Sequence, residues 1–141
     1  MCQVTKYLLL FGLLSTPSIT VLAQKNTADT VWGNALNEQS RVDYDEGHYD
    51  TALIKGMEAL ELANKLSFPQ GIANSYSSIA IVYHTQGDYP QALKNYFAAL
   101  KLKKELGDKK GIGIAYNNIG LVFYNQGNYP DALNNHLASL K

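Results

Sequence analysis

Apolar side chains recur along this chain at helical intervals. Tyr76, Ile79 and Tyr83 stand at i, i+3 and i+7, the spacing of one helical face. Ala80 lies on the same stripe, where a neighbouring backbone can come close and a larger side chain would force two helices apart. Tyr116, Ile119, Gly120 and Phe123 reproduce this face forty residues later. A second stripe follows: Ala92, Leu93, Tyr96, Ala99, Leu100 and Leu102, matched in the next copy by Ala132, His136 and Ser139. The pattern predicts a helix running to Gly87, a second ending near Gly107, and another starting between Lys109 and Gly111. Upstream the signal is weaker. A helix over about Trp32–Asp45 puts Leu36, Gln39, Ser40 and Asp43 at the packing positions, so the first unit is expected to be a cap or loosely held. A following helix, Tyr49–Leu66, carries Ala52, Leu53, Met57, Ala59, Leu60, Leu62 and Ala63. Residues 24–31 read as a polar lead-in.

The turns keep the same period. Gly47-His48-Tyr49-Asp50, Gly87-Asp88-Tyr89-Pro90 and Gly127-Asn128-Tyr129-Pro130 are forty residues apart, and each is followed by a copy of x-Ala-Leu. A fixed period of this length marks stacked supersecondary units rather than one globular core. Glycine ends a helix by taking the left-handed backbone setting. Asp88 and Asn128 are suited to cap the next helix, and Pro90 and Pro130 fit its first turn, where a missing N–H loses no bond.

The recurring phrase is aromatic, Ile-Ala/Gly, aromatic, Gly-x-Tyr-x-x-Ala, aromatic and Ala. Tyr76, Ile79, Ala80, Tyr83, Gly87, Tyr89, Ala92, Tyr96 and Ala99 carry it, and Tyr116, Ile119, Gly120, Phe123, Gly127, Tyr129 and Ala132 carry it again. On these residues the chain resembles the tetratricopeptide repeat proteins over residues 33–141. Gly56 and His136 depart from the pattern at the last aromatic slot, that of Tyr96, and Ser139 replaces an alanine, so its hydroxyl needs a partner if buried. The usual unit is about 34 residues. The extra six are expected to lengthen the second helix, the turn after it and the next helix start, around Lys103–Gly113. That length is similar to the long variety found in scaffold and motor-adaptor proteins and in exported sensor regions of bacterial signalling proteins. The resemblance implies an all-α, right-handed α-solenoid of stacked antiparallel helix pairs, with units at about 33–72, 73–112 and 113–141 inside an array over 32–141. It also implies that first helices line a concave groove. The groove-facing positions are then Asn37, Arg41 and Tyr44; Asn74, Ser77, Ile81 and His84; and Asn117, Leu121 and Tyr124. Amides, hydroxyls and aromatic rings suit an extended peptide. Arg41 stands alone, which argues against capture of a C-terminal carboxylate by a lysine/arginine cluster. The expected function is a protein-interaction scaffold. The alternatives are the extracytoplasmic input region of a membrane histidine kinase or related signalling protein, with its output domain beyond residue 141, and a structural spacer.

The N-terminus has another character. Lys6 is followed by the apolar run 7–14, a Ser/Thr/Pro stretch, and Val21-Leu22-Ala23. This order is that of a signal peptide (residues 1–23) cut after Ala23, and it makes the array an exported one, periplasmic or extracytoplasmic. The run is about half the ~20 residues of a spanning helix; a membrane enters only through a retained N-terminal anchor or a downstream segment. Cys2, the single cysteine, would leave with the peptide, so no disulfide framework is expected. Text of helical character continues to Lys141 without a closing cap, which reads as a fragment with Leu133, Leu137 and Leu140 exposed and a tendency to self-associate.

Without Lys6 the chain has 11 basic and 12 acidic residues. A nearly neutral surface gives no electrostatic reason for nucleic acid as a partner. The lysines at 101, 103, 104, 109 and 110 read as a solvated helix end. His48, His84 and His136 fall at different phases of the repeat, and Asp43, Asp45, Glu46 and Asp50 miss the calcium-loop spacing, so no metal is expected. Ser67, Ser75, Ser77 and Ser78 lack a nucleophile elbow or a relay partner, and 107–113 is no phosphate loop. No catalytic residue and no cofactor are expected.

Overall fold

The computed structural model describes residues 17–141, with side chains from 27 onward. The expected signal-peptide features at Cys2, Lys6 and 7–14 lie outside the described residues. Six helices follow one another: α1 (Pro17–Asp45), α2 (Tyr49–Lys65), α3 (Pro69–Thr85), α4 (Tyr89–Glu105), α5 (Lys109–Asn125) and α6 (Tyr129–Ser139). No helix among them is long and apolar enough to cross a membrane. The pairs α1/α2, α3/α4 and α5/α6 pack as antiparallel hairpins, α2 packs on α3, α4 on α5, and α1 reaches α3. The result is an all-α stack of helix pairs.

The forty-residue unit divides evenly. Helices α2 to α5 each span 17 residues and every connection spans three. The turn after α4 is therefore no longer than the rest, contrary to the expectation that it absorbs extra residues. Helix α1 also begins earlier than Trp32. The stretch expected as a polar lead-in, residues 24–31, continues the helix, which holds no proline after Pro17, and just beyond it Gly33 faces Leu62.

Each turn closes in the same way. The amide of the residue after the turn glycine reaches back five residues, as in Asp88 N–H to Tyr83 O at 2.9 Å and Asn128 N–H to Phe123 O at 2.9 Å. The residue before each cap has positive φ: Gly47 at 83°, Gly87 at 79°, Gly107 at 68° and Gly127 at 76°. Ser67 occupies the same place at 50°, where a Cβ crowds the backbone. Ser67→Gly should therefore stabilise the fold by about 1 kcal/mol, read as a higher urea midpoint at unchanged slope; a lower midpoint would contradict this account. The expected caps are in place. Asp88 Oδ1 accepts from Gln91 N–H at 3.1 Å and Asn128 Oδ1 from Asp131 N–H at 3.4 Å, with Pro90 and Pro130 second in their helices.

Small residues form the seams. Ala52, Ala59, Ala80, Ala92 and Ala99 are fully buried, and Ile119, Val122, Tyr96 and Leu100 fill the space around Ala80 and Ala92. Met57, expected on the buried stripe of α2, is exposed, because the inner line of that helix is Ala52, Gly56, Ala59 and Ala63. The polar seam of the first unit is mostly satisfied: Ser40 donates to Ala52 O at 2.8 Å, and Gln39 donates to Asp43 Oδ1 at 2.9 Å. Ser139 donates to His136 O at 2.7 Å. His136 lies over Gly120, where a Cβ would meet its ring at 2.9 Å. One lysine breaks from the expected solvated end. Lys103 is buried, and its ammonium proton is held less tightly than usual because burial removes water, with Asp108 opposing that effect.

Candidate functional site

Helices α1 and α3 enclose a groove of about 390 Å³. Asn37 and Arg41 line it from α1, and Asn74, Ser77 and Ile81 from α3. Five of the ten expected groove positions are thereby brought together. Asn34, Glu38 and Ser78 complete the wall and were not anticipated, although Asn34 stands forty residues before Asn74. Tyr44 joins Arg41, Ser78 and Ile81 in a smaller adjoining depression.

The chemistry of this wall is neutral. Arg41 is clamped within its own helix: two guanidinium nitrogens bond the two oxygens of Glu38 and the third reaches Asp45 Oδ2 at 2.8 Å. The hydrogen bond and charge of Arg41 hold the Glu38 carboxyl below its usual range. Its positive charge is thus matched before any ligand arrives. Asn74 Oδ1 accepts from Gln70 at 3.1 Å, and Ser77 Oγ donates to Ala73 O at 3.0 Å, which leaves that hydroxyl oxygen able to accept. Asn37 differs. Its amide nitrogen and oxygen are both shielded from solvent, and neither has a hydrogen-bond partner.

A periodic rung joins the first helices. Tyr44 Oη pairs with Thr85 Oγ1 at 2.9 Å, and His84 Nε2 with Asn125 Nδ2 at 2.8 Å, both pairs 41 residues apart. Burial lowers the proton affinity of His84, so the ring is neutral near pH 7 and Nε2 accepts from the amide. Tyr44 and His84, which open the two rungs, and Tyr124 at the equivalent position also meet the next helix start: Tyr44 with Tyr49 at 5.6 Å, His84 with Tyr89 at 6.0 Å and Tyr124 with Tyr129 at 5.5 Å between ring centroids. Tyr44 and His84 thus serve the architecture as well as the surface. Thr85 and Asn125 were missed by the sequence reading, though they are forty residues apart.

The third unit contributes differently. Asn117 Oδ1 faces His136 Nδ1 at 3.2 Å, and Asn117 borders a separate hollow with Lys109, Lys110, Ile114 and Ser139. Leu121 and Tyr124 are exposed on α5, outside the α1/α3 groove.

Comparison with known proteins agrees with this geometry. A family model described as tetratricopeptide repeat matches residues 33–105 and 71–141. No curated protein matches the chain by sequence. Among solved structures, the TPR domain of Arabidopsis FLU is similar with a TM-score of 0.72 at 18% identity, covering 82% of this chain and 94% of that one. BtubC (BKLC) from P. vanneervenii is similar with a TM-score of 0.70 at 18% identity, covering 77% of this chain and 44% of that one. At such identities the likeness is one of fold. The family model covers residues 33–141, and the chain belongs to the tetratricopeptide repeat family, whose repeats are non-catalytic and generally act as protein-interaction scaffolds.

Proposed function

We propose that the α1/α3 groove binds an extended peptide segment of a partner protein, chiefly through side-chain amides. The observation that carries this reading is Asn37. An unpaired buried amide costs about 1–3 kcal/mol, and this one sits in the wall of the groove with both its donor and its acceptor unused. A peptide in extended form presents an N–H and a C=O in the plane that one carboxamide, once turned outward from its shielded setting, can engage together. Asn34 and Asn74 add further amides along the same wall, and Ile81 offers an apolar surface in the same groove. Because Arg41 is already paired, the fitting ligand is an uncharged stretch of chain rather than a terminal carboxylate.

The test begins with peptides selected for binding to the full chain from a random library. Asn37→Ala combined with Asn74→Ala should weaken the selected peptides by at least about tenfold, equal to 1.4 kcal/mol, with helical content by circular dichroism unchanged. Peptides that bind the double variant as well as the parent would remove the groove from the interaction. Crosslinks falling on the convex helices α2 and α4 would do the same.

A further inference from the structure

The first interhelical turn differs from every other at three positions that matter structurally. Where Tyr83 and Phe123 pack in the later units, the first has Asp43; where those have Gln86 and Gln126, it has Glu46; and where they cap with Asp88 and Asn128, it has His48. His48 makes no side-chain cap. Asp43 is buried, and while Oδ1 accepts from Gln39, Oδ2 is shielded from solvent with no hydrogen-bond partner. Two of the three replacements give up a local contribution, apolar packing at Asp43 and a side-chain cap at His48. A carboxylate oxygen of Asp43, one of Glu46 and a ring nitrogen of His48 lie within 4.8 Å of one another. Nδ1 of His48 already stands 3.4 Å from Glu46 Oε2.

We propose that Asp43, Glu46 and His48 bind a divalent transition cation of the zinc type. One imidazole and two carboxylates form a donor set suited to Zn²⁺, with ligand bonds of about 2.0–2.2 Å and an open fourth position for water. The imidazole favours zinc over calcium, which takes oxygen donors. A cation there supplies the charge and the coordination that the orphaned Oδ2 of Asp43 lacks. It also ties the end of α1 to the start of α2. That is the hairpin whose inner slot holds Ser40 and Gly56, where the second unit has Ala80 and Tyr96. The small, polar core of the first unit is thus closed by coordination at its turn, and metal binding adds to folding stability.

The experiment is calorimetric titration of ZnCl₂ into the full chain, untagged and carrying Cys2→Ser to remove its thiol, with histidine resonances followed by NMR. One ion per chain is expected, with a selective shift of the His48 ring signals and a higher melting temperature. His48→Asn installs the capping residue of the third unit and so keeps the turn; it should weaken zinc binding by at least about tenfold. Asp43→Asn should do likewise. Absence of a binding heat overturns the assignment. So does zinc affinity unchanged in His48→Asn, or a shift confined to His84 and His136. Calcium binding tighter than zinc binding would equally exclude a site built on the imidazole.

Discussion

Tyr96→Ala should cost about 3–5 kcal/mol of folding free energy, the range for removing a large aromatic side chain from a packed interior. Tyr96 is 1% exposed, the largest fully buried side chain among the described residues, and it packs in the cluster with Ala80, Leu100, Ile119 and Val122. Burial also holds its phenol proton well above the ordinary tyrosine range, with Tyr44 adding to the effect. The helices around it meet through alanines that cannot expand to refill the space. The same slot holds Gly56 in the first unit and His136 in the third, so the second unit alone is built around a tyrosine there. Urea unfolding followed by circular dichroism measures the loss. A cost below about 1 kcal/mol would mean the seam collapses around the cavity, against the rigid close packing described above.

Ile119→Ala comes second, at about 2–5 kcal/mol. Ile119 is fully buried on α5, and α5 packs only on α4 and α6 among the element pairs with substantial contact. In a stack coupled through nearest neighbours, a lesion in one unit loosens that unit before the others. Hydrogen exchange should therefore show protection lost in α5 and α6 while α1 to α3 stay protected. The urea transition should broaden as well. Uniform loss of protection along all six helices would show that the array unfolds as one block, and the nearest-neighbour picture would fail.

Much of the fold was legible because it is local. The stripes Tyr76, Ile79, Tyr83 and Tyr116, Ile119, Phe123, the glycines before each cap, and Asp88 and Asn128 act within a few residues of themselves. Their structural outcomes match their sequence reading. The helical state of residues 17–31 was not legible, since the repeated phrase does not extend over them. Nor was the fate of Lys103, whose burial depends on how α4 meets the next turn. For the groove, Asn37, Arg41, Asn74, Ser77 and Ile81, singled out by register, lie along one wall. It could not reveal that Arg41 is spent on Glu38 and Asp45, or that Asn117 turns to His136. Those outcomes are choices between partners of similar reach.

The sequence by itself determined that this protein is a stack of forty-residue helix pairs, because periodic apolar stripes and positive-φ glycines are consequences of backbone geometry acting over a single turn. Tertiary structure decided which polar groups are left without partners. Asn37 and Asp43 look alike in sequence to their many solvated neighbours, and only the packing of one helix against another shields the amide of the first and a carboxylate oxygen of the second from water. That shielding is a property of three-dimensional neighbours, and it is what makes both residues candidates for binding.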